Sequence, residues 1–186
     1  MRLRKTSYVN IKVAFASIVV FFFVFFFIYS LVLTGKVFDF FQYLPFSPYG
    51  TFVNVPTSKG CDNSLWNHVY SPSRLYVVSP CITISGTITK IERESDGDDH
   101  ILLKVDSNYP RLTNIFNKLL MKDNIVMEII CKGEADKEAK ESCQNYTNKI
   151  STPEVGSKVT VTGSFVVDKP YGWTEIHPVS KISTTP

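Results

Sequence analysis

Residues 82–89 read Ile-Thr-Ile-Ser-Gly-Thr-Ile-Thr. The alternation has period two, so the isoleucines and Gly86 share one face and the hydroxyl residues the other. Gly86 sits where a bulky side chain would otherwise point inward, which suits a strand bending sharply in a small barrel. The same alternation recurs downstream. His100–Val105 reads as a second strand with Ile101, Leu103 and Val105 inward. Asp96-Gly97-Asp98-Asp99 is the turn before it. Ile125–Cys131 reads as a third strand, Lys158–Asp168 as a fourth with Val159, Val161, Gly163, Phe165 and Val167 inward, and Trp173–Ile182 as a fifth.

Two stretches carry helical spacing instead. Leu112, Ile115, Phe116, Leu119 and Leu120 predict a short amphipathic helix. Ala135, Ala139, Cys143, Tyr146 and Ile150 predict a second, with Cys143 on its buried face. The sequence therefore predicts a mainly β domain over 75–186 with one or two short helices. The order strand, strand, strand, helix, strand, strand resembles the OB-fold, a five-stranded Greek-key barrel that binds ligands near its first and last hairpin loops. Val155-Gly156-Ser157-Lys158-Val159-Thr160-Val161-Thr162-Gly163 resembles the fourth strand of such domains, whereas the helix around Ile115 is an insertion between strands two and three.

A narrower resemblance rests on Asp96-Gly97-Asp98-Asp99-His100-Ile101-Leu102-Leu103 and on Gly172-Trp173-Thr174-Glu175-Ile176-His177-Pro178-Val179, with Arg74-Leu75 and residues 82–86. Over about 74–182 the chain resembles a family of small secreted or membrane-anchored prokaryotic OB-fold-like proteins with a DGDxHxxL … GWxEIHPV pattern and no assigned activity. The resemblance implies a fold and a location but no chemistry.

Location is also written in the N-terminal third. Val13–Leu33 is free of charge, Gly and Pro, and long enough to cross a ~30 Å hydrocarbon core as a helix. Arg2, Arg4, Lys5 and Lys12 precede it with no acid among them, and the next positive charge is Lys36. The positive-inside rule predicts a cytoplasmic N-terminus and an extracytoplasmic remainder. A cleaved signal peptide needs a short apolar region ending at a small-x-small site, and Tyr29–Gly35 offers none, so a retained anchor is expected. The organisation expected is a basic stub (1–12), a transmembrane helix (13–33), an aromatic juxtamembrane and irregular linker (34–74) and the β domain. The linker's rings, among them Phe38, Phe40, Phe41, Tyr43 and Phe46, suit the headgroup layer.

Charge narrows the partners. The net charge of +3 includes four basic residues in the first 12 positions; the rest of the chain holds 16 basic and 17 acidic residues. The external part therefore lacks the positive excess of a nucleic-acid binder. The partners expected are the membrane itself and a protein or envelope component. Four cysteines in an oxidising compartment predict two disulfides. Of the three pairings, Cys61–Cys81 and Cys131–Cys143 are favoured because each closes a short loop. Asn145-Tyr146-Thr147 is a glycosylation sequon.

The chemistry-bearing set is Asp96, Asp98, Asp99, His100, Glu175 and His177. Parity places His100 outward and puts Trp173, Glu175 and His177 on the face opposite Ile176. Two imidazoles with carboxylates suit Zn²⁺ or a similar divalent ion, so His100, His177 and Asp98 form a candidate metal set. The acidic loop alone would suit Ca²⁺, but its spacing does not continue as an EF-hand loop. The plainer alternative is a hairpin turn with a structural polar pair. Trp173 and Tyr171, with Glu175, form a candidate ligand-binding wall of the kind that stacks sugars or bases; the plainer alternative is a ring capping the barrel. No G-x-S-x-G, P-loop, H-E-x-x-H or G-x-G-x-x-G motif occurs. The expected role is thus a non-enzymatic extracytoplasmic interaction module, with a metal-binding and hydrolytic protein using His100, His177 and nearby carboxylates as the alternative.

Overall fold

Leu75–Arg93 forms a single 19-residue strand, β1, too long to serve one neighbour. Its first part pairs antiparallel with β4 (Lys158–Asp168), from Leu75 opposite Asp168 to Thr87 opposite Lys158. Its second part pairs with β2 (Asp99–Val105), from Gly86 opposite Val105 to Arg93 opposite Asp99. The remaining strands are β3 (Ile125–Ile129) and β5 (Thr174–Thr184), and the hydrogen-bonded order β1-β2-β3-β5-β4 returns to β1, closing the sheet. All pairs are antiparallel except β3 with β5. The computed structural model describes residues 55–109 and 112–184, together with Phe22, Val24, Phe26, Phe27 and Tyr29, which are helical. The rest of the expected span 13–33, the stub and most of the aromatic linker lie outside the described residues. Among the described residues no helix is long and apolar enough to cross a membrane.

The bend in β1 falls at Gly86, which pairs with both neighbours at once. A Cβ there would strike the Lys104 carbonyl and press on the Leu103 side chain at 2.9 Å. Gly163 plays the matching part at a bulge between β4 and β5; a Cβ would lie 2.6 Å from the Pro178 carbonyl. The enclosed core is made by the residues that alternation assigns inward: Ile82, Ile84, Ile88, Ile101, Leu103, Val159, Val161 and Phe165, joined by Ile125, Met127, Ile129, Ile176 and Val179.

The helices depart from expectation. The first, α1 (Ile115–Leu120), is present, but its apolar stripe is not what holds it. Leu119 is 72% exposed, Ile115 and Leu120 are also exposed, and the helical residue fully buried is Asn117. At six residues, α1 has more unpaired end groups than internal bonds. Asn114 caps it, with Asn117 returning a bond in a reciprocal box. Asn117 then spends its amide on the carbonyls of Asn124 and Thr174, both at 2.9 Å, while its oxygen accepts from the Thr174 backbone. Hydrogen bonds from Asn114 and Asn117 dock α1 against the start of β5, and Phe116 adds contact with Leu102, Val126 and Trp173.

The helix predicted over 135–150 does not form. The segment is a chain of tight turns with bonds from Ala139 to Asp136, Ser142 to Ala139 and Tyr146 to Cys143. The Cys131–Cys143 disulfide and the bond from Asp136 N–H to the Ser95 carbonyl tether it at close intervals. Both expected disulfides are present. Residues 55–74, read as irregular, contain 3₁₀ turns at Asn63–His68 and Pro72–Arg74. The first turn lays Leu65 and Trp66 over the outer face of the sheet, against Leu75, Ile130, Val166 and the Cys131–Cys143 bridge. The outer face is therefore covered by a second, smaller apolar layer.

Gly86→Ala tests the bend. Forcing a methyl against backbone costs about 1–3 kcal/mol, so a lowered urea midpoint with an unchanged slope is expected. Ser85→Ala, whose neighbour position faces outward to Asp106, is the milder comparison.

Candidate functional site

Strand parity explains how the polar residues meet. On β2, Ile101 and Leu103 face the core, so His100 faces outward. His100 stands directly opposite Glu128 of β3, again on the outer face. β3 then runs parallel to β5 with Val126 opposite Glu175 and Met127 opposite Ile176, which puts Glu175 and His177 on the same outer face as Glu128. A row of ionisable groups thus crosses three strands. His100, Glu128, Glu175 and His177 are all buried. The outward orientation expected for His100 holds, but outward here does not mean exposed.

A cleft of about 340 Å³ opens over this row. Its rim is the β1–β2 loop, with Glu94 and Asp96, and the β4–β5 loop, with Pro170, Tyr171 and Trp173; its floor includes His100, Glu128, Asp168 and Glu175. Arg74 enters from the 3₁₀ turn before β1 and forms an ion pair with Asp168. A larger and more open hollow of about 740 Å³ lies along the turns of 133–147. It is lined by surface lysines and glutamates, and the buried charges converge on the smaller cleft.

All three residues of the candidate ligand-binding wall come together there. Tyr171 and Trp173 stack with ring centroids 4.3 Å apart and planes 2° from parallel. Trp173 is buried against Leu102 and Val126, so its outer face belongs to Tyr171, whose own ring is exposed. The indole N–H donates to Glu175 Oε2 at 3.1 Å, and the indole meets the His100 ring edge-on at 6.4 Å.

The candidate metal set is not brought to one point. His100 groups with Glu94 and Glu128, and His177 groups with Glu128 and Glu175. Asp98 points elsewhere: its Oδ1 accepts the Cys131 backbone N–H at 2.7 Å, pinning the turn after β3. Its other near ligand types are Cys131 and Cys143, whose sulfurs are joined to each other. The carboxylates of the acidic loop also diverge. Asp96 faces the cleft, whereas Asp99 pairs with Arg93 and Thr152.

Sequence reasoning missed Glu128, Arg74, Glu94 and Asp168. For Glu128 a signal existed. It is the one charged residue of Ile-Val-Met-Glu-Ile, a strand apolar on both faces, and a charge in such a strand must have partners.

Burial disfavours the charged ring of His100, yet its hydrogen bonds to Glu128 and Glu94 prevail and hold its pKa at about 10. Burial, reinforced by Asp96, lifts Asp98 to about 8. Burial and the nearby Glu175 lift Asp168 to about 7 against the pull of Arg74. No family model matches the chain, and no curated protein matches it in sequence.

These shifts act in one direction. Folded Asp98 keeps a proton that the unfolded chain releases near its model value of 3.8, so its share of stability falls as pH climbs from there to about 8. Folded His100 keeps a proton that the unfolded chain loses near 6.5, so its contribution is complete below that pH and disappears through about 10. With chelator present, the urea midpoint is expected to fall from pH 6 to pH 9, and Asp98→Asn is expected to flatten that fall.

Proposed function

We propose that the chain is a membrane-anchored, extracytoplasmic OB-like binding module without catalytic activity. In this reading residues 13–33 hold it in the membrane with the N-terminus inside, and the cleft receives a cationic group presented by a protein or envelope partner. One observation carries the proposal: the cleft lies between the β1–β2 and β4–β5 loops, above β2 and β3. That is the surface on which OB barrels bind their ligands. The strand order β1-β2-β3-β5-β4, closed by β1, supports the OB-like reading.

The lining supports the ligand class. Glu94, Asp96, Glu128, Asp168 and Glu175 outnumber Arg74 and His100, and the exposed Tyr171 ring stands at the mouth. Carboxylates with an aromatic face suit a guanidinium or ammonium group. The same acidity repels phosphate, which speaks against single-stranded nucleic acid despite the stacked rings. The uncharged run 13–33, the two disulfides and the resemblance to secreted or anchored proteins support the location.

The full chain in detergent micelles, titrated while its tryptophan fluorescence is followed, tests the ligand. The probes are an arginine-rich peptide, a neutral oligosaccharide and a single-stranded oligonucleotide. A saturable response to the peptide alone is expected, weakened by salt. Tyr171→Ala is expected to lower the affinity roughly threefold to fivefold, the scale of one exposed cation–π contact. No saturable response to the peptide, or one that Tyr171→Ala leaves unchanged, rejects the cationic ligand. Protease added to intact cells is expected to remove the β domain; full protection rejects the topology.

A further inference from the structure

Beneath the cleft, Glu128, Glu175 and His177 form a cluster that the cleft's proposed ligand does not explain. Each offers a ligand-type atom, and these atoms all lie within 4.8 Å of one another. His177 has no exposed surface, and Glu128 and Glu175 are buried with it. Their hydrogen bonding is half complete in a regular way. Glu128 gives Oε1 to His100 Nδ1 at 2.8 Å, and its Oε2 has no partner. Glu175 gives Oε2 to the Trp173 indole, and its Oε1 has no hydrogen bond. Neither ring nitrogen of His177 has one. Two of these four atoms, Glu175 Oε1 and His177 Nδ1, have each other as an ion-pair contact at 3.2 Å. Glu128 Oε2 and His177 Nε2 are buried with no hydrogen bond at all, which is costly.

We propose that Glu128, Glu175 and His177 bind one divalent transition-metal ion, with Zn²⁺ the best match. Two carboxylates and one imidazole supply the donor types that Zn²⁺ takes. An imidazole among the donors argues against Mg²⁺ and Ca²⁺, which prefer all-oxygen shells. The cleft's carboxylates outnumber Arg74 and His100, and the ion's two positive charges offset part of that excess. The completed hydrogen bonds then become an outer shell: His100 and Trp173 each hold the oxygen that does not face the ion, and so aim the one that does. Glu128 and Glu175 also line the cleft floor, which gives the ion a route in.

The competing arrangement is an imidazolium at His177 paired with Glu175. His177 Nδ1 approaches Glu175 Oε1 to 3.2 Å, and Arg74 stands 3.9 Å from the same oxygen. That pair leaves Glu128 Oε2 and the second ring nitrogen of His177 unanswered. A metal answers both carboxylates and one nitrogen together. The site shares Glu128 and Glu175 with the cleft floor, whereas Tyr171 belongs to the cleft alone and so separates the two.

The test is calorimetric titration of the untagged full chain in detergent, stripped with chelator, against Zn²⁺, with Ca²⁺ in parallel. One Zn²⁺ per chain is expected, with a raised melting temperature and no comparable response to Ca²⁺. The near-isosteric Glu128→Gln and Glu175→Gln, and separately His177→Gln, are expected to weaken binding at least ~100-fold. His100→Gln is expected to weaken it about 10–100-fold, the usual cost of a lost outer-shell partner. His68→Ala and Tyr171→Ala are expected to leave it unchanged, the latter separating this site from the cleft's ligand. Circular dichroism verifies folding; if His177→Gln unfolds, the two glutamine variants decide. Failure of the parent to bind Zn²⁺, preference for Ca²⁺, or full binding by the folded glutamate variants overturns the proposal.

Discussion

Everything in the domain hangs on one strand serving two partners. β1 must leave β4 and join β2 within its own length, and Gly86 and Thr87 belong to both ladders. Closing the sheet this way abolishes free edges and leaves the outer face of β2, β3 and β5 as the floor of a trough, the cleft. The loops β1–β2 and β4–β5 then rise on either side of it. Position in the fold, more than any motif, is what brings Glu94, Tyr171 and Glu175 to one cleft.

The trough is lined in an energetically awkward way. Replacing buried ion pairs with apolar side chains of similar volume is often neutral or stabilising by about 1–4 kcal/mol. The neighbouring part of the same face does this: Leu65, Ile130 and Val166 pack there without a polar atom between them. The chain could in principle have continued that layer across the floor of the cleft. It instead carries His100, Glu128, Glu175, His177 and Asp168 on the same covered face. Buried ionisable groups with incomplete hydrogen bonding are a feature of sites rather than of frameworks. Both Asp98 and Asn117 show the contrast. Each is as buried, but their oxygens are met by backbone N–H groups at 2.7 and 2.9 Å, and they hold the fold together.

What was legible in the sequence follows from which physical rule decides each element. The strands obey period two because one face of each meets the enclosed core, so 82–89 and 158–168 read correctly and Gly86 disclosed the bend. Parity also grouped Glu175 with His177. Parity says which residues share a face, however, and not what lies over that face. The groups over that face come from other elements: Glu94 of the β1–β2 loop and Trp173 before β5 stand beside His100, which is outward and buried. Helical spacing failed for a different reason. Short helices are marginal by themselves, and their fate is set by local tethers. The tethers at Cys143 and Asp136 converted 135–150 into turns, and the amides of Asn114 and Asn117 rotated α1 so that Leu119 faces water. Glu128 was overlooked because it has no partner nearby in sequence; its meaning depends on the cross-strand position of His100.

The disulfides complete the logic of the cover. The outer apolar layer is smaller than the enclosed core and gains correspondingly less from apolar burial. The segments that form this layer, 55–74 and 131–148, are also poor in regular hydrogen bonding. Each is stapled to the sheet: Cys61–Cys81 ties the first to β1, and Cys131–Cys143 ties the second to the turn after β3. Closing loops of such length restricts the unfolded chain by an amount worth about 3 kcal/mol apiece. The cross-links therefore hold the apolar cover on the outer face of the sheet, and neither disulfide lines the cleft.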